Sequence, residues 1–456
     1  MDKLTRQLAA YASDLTYADL SPEAVDATKR IILDLIGCAL GAARAEPAAI
    51  ARALALEVTA RHPATLMVTG EQTTPDLAAF VNGVLVRYQD FSDAYVSGSG
   101  LCHPSDMFGP VLAAVETAHG GGRELILSMA LAYEIFCGIT DSGAMRNAPT
   151  WDQATFGVIA ASIAVSKAMG LDQERMGHAL SLAASSHLTV GQVRRGALSH
   201  WKGCAVANAG RNAVFTALLA AKGMTGPDLP FEGVQGYFNA IGGSFELPPL
   251  ASRGAQFRIQ KARMKPFPAG YHCHTAVEAA QQIRARLGNR IDSIKQVRMQ
   301  TYRNGMNYAE PVHWTPETRE TADHSLPFTI AVALMEGTLA IRHYDELYYK
   351  RADVRALMQK IAICVGDEPS RAWPEAPLCL LEVETEAGEV LRARAEYHLG
   401  HYRNPMSDAD QDAKLRAMAR DYAGLPDARI DQLLNRLRHL EDVDDVGELL
   451  KLTAAA

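Results

Sequence analysis

The stretch Ser21–Ala42, "SPEAVDATKRIILDLIGCALGA", sets the fold class. Ser21 can accept from an open amide of a first helical turn, Pro22 suits the first helical position, and Glu23 complements the positive end of the helix dipole. Val25, Ile32, Leu35 and Ala39 then recur at helical spacing and define one buried stripe. Alanine-rich stretches of the same texture follow at 108–119, 124–139, 156–170 and 203–222. In the last of these, Gly203, Ala205, Ala207, Ala209 and Gly210 are small enough to admit a neighbouring helix closely. Residues 1–252 therefore read as helical.

Near residue 253 the texture changes. "AQFRIQKARM" and "IDSIKQVRMQTYR" alternate apolar and polar residues, which predicts half-buried strands. "LCLLEVETEAGEVLRARAEYHL" predicts two strands joined at Ala387-Gly388. Helical pattern returns at 324–338 and 343–362, and again after "GHYRNPMSD" through "DADQDAKLRAMARDYAG" and "ARIDQLLNRLRHL". The expectation is a mainly α protein, with one large all-helical domain and a smaller α+β domain inserted before the C-terminal helices. The boundaries fall at 1–252, 253–400 and 401–456.

The bulk numbers exclude several classes. With 48% hydrophobic and 21% charged residues, the composition is that of an ordinary globular chain. A formal net charge of -7 argues against a general nucleic-acid binder, although a local pocket can still be cationic. The seven cysteines are scattered and never form C-x-x-C, so a reducing, cytoplasmic location without a disulfide framework is expected. "MDKLTRQLAAYASDL" has no apolar core of a secretory signal, and Glu134 interrupts the apolar run "ILSMALAYEIFCGI". No membrane association is expected. There is no G-x-x-x-x-G-K-[ST], no G-x-G-x-x-G after a strand and no G-x-S-x-G.

Five segments carry polar residues of the kind acid/base chemistry needs. "RYQDFSDAYVSGSGLCHPSD" (87–106) holds Asp90, Asp93, Asp106 and His103 around a Ser-Gly run. Such residues also make ordinary polar loops. "RRGALSHWKG" brings Arg194, Arg195, His200 and Lys202, with Ser199 as a cap that would set Lys202 in a helix's first turn. An anionic ligand would offset the unfavourable dipole there. "KPFPAGYHCHTA" brings Lys265, Tyr271, His272, Cys273 and His274, whose close spacing is poor for one metal ion. "PETRETADHSLPFTIAVAL" holds Arg319, Asp323, His324 and Ser325, with Asp323 or Ser325 free to cap the helix that follows. "GHYRNPMSD" holds His401, Arg403 and Asn404 before a helix start. Cations, imidazoles and a few carboxylates fit a pocket for a small polycarboxylate, worked by proton transfer without a redox cofactor.

The sequence resembles the MmgE/PrpD family along nearly its whole length. The likeness rests on "RYQDFSDAY…HPSDMFGPVLA", "LSHWKGCAVANAGRNAVFTALLAAKGMTGPDLPFEG", "KPFPAGYH", "TRETADHSLPFTIAVAL" and "GHYRNPMSD", in that order. It is nearest the bacterial dehydratase-like branch of a family that includes 2-methylcitrate dehydratase, cis-aconitate decarboxylase and iminodisuccinate epimerase. The resemblance implies a helical domain, an α+β lid, a homodimer, and a site between the domains that needs neither cofactor nor metal. It also implies that Asp90, His103, Lys202 and Lys265 are catalytic, with His103 moving a proton beside Asp90 and the lysines holding carboxylates. Asp93, Arg194, Gln153, Tyr271, His274 and His324 are expected to bind substrate. Four positions depart from the family's wording: Ala94 stands for a threonine, Gln153 for a histidine, Gly270 for a glutamate and His274 for a glutamine. They suggest an altered substrate or reaction. The implied activity is hydration or dehydration of a 2-methylcitrate- or citrate-like acid. Decarboxylation, epimerisation and a silent carboxylate binder are the alternatives.

Overall fold

The computed structural model describes residues 1–454. Helix dominates, as the periodicity predicts, and the β-structure is confined to small sheets. The chain divides into two compact units. One comprises Met1–Val193, Gly203–Ala262 and Ser407–Ala456, and the other Arg194–Lys202 and Arg263–Met406. No helix among the described residues is long and apolar enough to cross a membrane. All seven cysteines are free thiols, and only Cys364 is exposed.

The first unit is built from helices. Pro22–Gly41 begins as its sequence dictates, with Ser21 accepting from Ala24 N–H and Pro22 at the first position. It packs on the C-terminal helix Asp408–Asp421, which Ser407 caps together with Asp410. A second crossing has a direct bearing on the site. Helices Pro75–Arg87 and Phe108–Thr117 meet at glycines, where a Cβ on Gly109 would stand 2.6 Å from Gly83 N and 2.7 Å from Ala79 O. No larger residue fits there. The crossing fixes two chain ends: Arg87, just before Asp90, and the turn Pro104–Met107, just after His103. A short hairpin, Tyr95–Ser97 with Gly100–Cys102, joins them.

The second unit is a four-stranded sheet with helices on one face. The strands lie in the order Ile361–Val365, Ile294–Thr301, Cys379–Thr385, Val390–Ala395, the first pair parallel and the others antiparallel. The expected hairpin turns at Gly388, whose φ of +80° glycine adopts without strain. Along Cys379–Thr385 alternate side chains are buried. Val297, Met299, Leu381 and Val383 form a core with helices His274–Leu287 and Leu326–Glu336.

Two sequence expectations need correcting. "AQFRIQKARM" is not a strand: Arg258–Lys261 is a 3-10 turn, and its alternation reflects Phe257 and Ile259 pointing inward while Arg258 pairs with Glu134 and Asp141. The helical pattern at 343–362 also breaks up. Short helices run over Arg342–Asp345 and Ala352–Met358 with a 3-10 turn at Tyr348–Lys350 between them, and Ile361–Val365 is an edge strand because five residues rich in β-branched side chains find a parallel partner in Val297–Thr301.

Candidate active site

In the first unit, a buried charge network surrounds the Asp90 segment. Arg87 Nη1 lies 2.7 Å from Asp90 Oδ1, and its Nε lies 3.6 Å from Asp106 Oδ1, with all three side chains at most 2% exposed. Asp90 adopts a left-handed backbone, φ +50°, which aspartate tolerates better than most residues. Taking one partner from such a buried pair costs about 3–5 kcal/mol, so the network also fixes the loop.

Asp93 is fully buried. Its carboxylate accepts from Tyr133 Oη at 2.8 Å and from Ser105 N–H at 3.3 Å. Burial pushes its pKa up to about 6; the hydrogen bonds from Tyr133 and Ser105 pull the other way, and the charge of Asp34 adds to the rise. The main-chain carbonyl of Asp93 lies 2.9 Å from His103 Nδ1. A carbonyl only accepts, so Nδ1 carries the proton and the lone pair of the neutral ring sits on Nε2. Gln153 holds the same residue from the other side, its Oε1 accepting His103 N–H at 2.9 Å. Asp90, Asp93, His103 and Gln153 thus belong to one buried neighbourhood. Lys414 of the C-terminal return reaches it too, 2.8 Å from Asp34 Oδ1, 2.9 Å from Phe91 O and over the Phe91 ring.

In the second unit, Lys202 sits at the second position of helix Trp201–Ala221, and its main-chain carbonyl accepts from Arg194 Nη1 at 2.9 Å. Its buried Nζ is 3.1 Å from Asp323 Oδ1 and 3.4 Å from Oδ2. His324 Nδ1 also bonds Asp323 Oδ1. His200 Nε2 lies 3.7 Å from Glu320 Oε1.

Lys265 is completely buried. Two residues before it, Arg263 donates to Tyr271 Oη and lies 5.6 Å over the rings of both Tyr271 and Tyr402. Burial raises the Tyr271 phenol, and the Arg263 charge opposes that rise. His274 stacks on Phe267 and lies 5.0 Å from the ring of His398. His272 Nδ1 is 2.7 Å from Tyr302 Oη. Burial first, then the charges of His324 and Lys265, push His272 down to about 3. His398 is pushed down to about 3, mainly by burial. Both rings are neutral at physiological pH.

Sequence reasoning passed over Arg87, Tyr133 and Lys414 as site residues, and it singled out Asp323 without giving it a role beyond that of a possible cap. Arg87 carried a readable signal, three residues from Asp90 at a helix end. Tyr133 carried none, because it lies in an apolar helical run. Asp323 was masked by its neighbour Ser325, since either could cap the next helix.

Fold and site together define a mainly helical protein with a tautomer-fixed buried imidazole in one unit and a lysine–aspartate–histidine group in the other. Residues 6–249 match the MmgE/PrpD N-terminal domain and residues 267–439 the MmgE/PrpD C-terminal domain, and the chain belongs to the MmgE/PrpD family. It is 25% identical to cis-aconitate decarboxylase of Homo sapiens, over 99% of this chain and 95% of that one. It is 24% identical to the mitochondrial 2-methylcitrate dehydratase of Yarrowia lipolytica, over 95% and 86%. It is 26% identical to 2-methylcitrate dehydratase of Escherichia coli, over 85% and 84%.

Proposed function

We propose that this protein is a cofactor-independent lyase for a small di- or tricarboxylate. Its reaction is hydration or dehydration of a 2-methylcitrate- or citrate-like acid, begun by removing the proton α to a carboxylate. The observation that carries this reading is the fixed tautomer of His103, whose Nδ1–H is held by the Asp93 carbonyl so that Nε2 faces its task as a base. Lys202 and Lys265 hold substrate carboxylates and stabilise the enediolate-like charge that develops as the proton leaves. Asp90 keeps the loop and its charge in place through Arg87. Asp93, Arg194, Gln153, Tyr271, His274 and His324 bind substrate. By the same family likeness we propose a cytoplasmic homodimer.

Decarboxylation is the second reading. The relative from Homo sapiens, named a cis-aconitate decarboxylase, aligns with 99% of this chain. The two reactions share a pocket for the same kind of acid and differ in what leaves.

Proton NMR of the chelator-treated protein in D₂O separates them. The panel is 2-methylcitrate, citrate, cis-aconitate, iminodisuccinate and tartrate. An alkene signal from a hydroxy acid is the expected outcome. Itaconate from cis-aconitate would establish the decarboxylase instead, and deuterium at an α-carbon without net conversion would indicate epimerisation. Binding of a panel acid without any spectral change would leave a non-catalytic binder.

A further inference from the structure

The Asp323–His324 pair has geometry that substrate binding alone does not use. Ser325, not Asp323, caps helix Leu326–Glu336, accepting Phe328 N–H at 3.1 Å. That leaves the Asp323 carboxylate to side chains. It is fully buried, and it bridges Lys202 Nζ and His324 Nδ1 with Arg319 3.9 Å away. A carboxylate only accepts, so His324 carries its proton on Nδ1 and presents Nε2 away from Asp323. The His324 side chain keeps 13% of its surface exposed. A buried group orients this partly open imidazole, as second partners orient catalytic and metal-binding histidines elsewhere.

We infer that His324, through Nε2, is a second acid/base group of the reaction, and that Asp323 is the positioning residue that sets its tautomer and ties it to Lys202. The inference rests on the lyase reading above. Dehydration needs two proton transfers. The base of the reaction takes the α proton, and the C–H electron pair becomes the new C=C bond. The C–O bond breaks, and the hydroxyl takes the Nε2 proton of protonated His324 and leaves as water. Asp323 stabilises the protonated ring before the transfer, and the base and His324 then re-equilibrate with solvent. Within its own unit His324 has Asp323 beside it on the same turn and Tyr308, whose ring is 4.7 Å away. Beyond them stand His272, 5.0 Å from Tyr308, Lys202, which shares Asp323 Oδ1 with His324, and Arg319, 3.9 Å from Asp323 Oδ2.

The test combines Asp323→Asn, Asp323→Glu and His324→Gln with two readouts. In protein carrying ¹⁵N-histidine, long-range ¹H–¹⁵N spectra report each ring's tautomer, and the signal lost in His324→Gln identifies His324. The expected wild-type form is protonated at Nδ1, moving towards Nε2-protonated in Asp323→Asn. On whichever panel acid turns over, Asp323→Asn and His324→Gln should lower kcat by about 10²–10⁴ with KM little changed. Asp323→Asn should also shift the limb of the pH profile that reports the acid, and Asp323→Glu should recover part of the loss. Wild-type kcat and an unmoved pH profile in His324→Gln would overturn the proposal, and so would an Nε2-protonated His324 in the wild type. If Asp323→Asn fails to fold, His324→Gln decides. If the wild type turns over no acid, the lyase reading fails and the tautomer spectrum alone judges the dyad.

Discussion

At Gly270, where the family's wording has a glutamate, a Cβ would stand 2.8 Å from both Cζ and the hydroxyl of Tyr308. The ring of Tyr308 fills that volume and lies 5.0 Å from His272 and 4.7 Å from His324. The absence of a side chain at 270 therefore admits an aromatic ring beside two histidines. Gly270→Ala should destabilise the protein by about 1–3 kcal/mol through overpacking. Combined with Tyr308→Ala, it should show a coupling of at least about 1 kcal/mol in urea unfolding. An unchanged midpoint for Gly270→Ala would mean the ring moves aside freely. At this scale the sequence showed which residue types were present. It could not show that Gly270 and Tyr308 compete for one volume, because they lie on separate turns.

For whole elements, periodicity served long helices well and short segments poorly. Pro22–Gly41 has a cap, a proline, an acid and an apolar stripe that agree with one another, so local and tertiary preferences coincide. The alternation of 255–264 resembled a strand but folds around the 3-10 turn Arg258–Lys261, and the five residues 361–365 became a strand because Val297–Thr301 lies beside them. The Asp323/Ser325 ambiguity was also settled at this level. Ser325→Ala should cost about 1 kcal/mol in thermal or urea unfolding, the loss of a helix cap, while leaving the proton-transfer step intact. A loss of kcat in Ser325→Ala comparable to that of Asp323→Asn would show that the cap and the dyad cannot be separated.

For the whole molecule, buried histidines dictate the response to acid. Burial lowers His187 and His343 to about 4 and His272 and His398 to about 3, and His401 falls as well. In the unfolded chain a histidine titrates near 6.5. Above that pH neither state is charged and the full stability is present. As pH falls through 6.5, the unfolded chain binds protons that the folded one refuses, so stability drops until the folded rings titrate. Each such ring costs about 2 kcal/mol at pH 5. Asp93, raised to about 6, and Glu278, raised to about 7, act oppositely, because folding favours their protonated forms and acid relieves their strain. His313 is lowered by burial too and Glu116 raised by it, so six histidines outweigh three carboxyls, and the urea midpoint at pH 5 should lie well below that at pH 7.5. His398→Gln should make the difference smaller, and a midpoint that does not change with pH would contradict this account.

The sequence by itself determined the helical class, the main elements of the sheet and the segments that carry the chemistry, because helix caps, apolar periodicity and motif order are local properties of the chain. It also carried the family likeness. Only the tertiary structure decided what each polar side chain does. The Asp93 carbonyl fixes the His103 tautomer, Asp323 joins Lys202 to His324 across 121 residues of chain, and Lys414 reaches Phe91 across 323. Such partnerships depend on distances between segments remote in sequence. No local pattern encodes them, and burial then sets the proton affinity of each group.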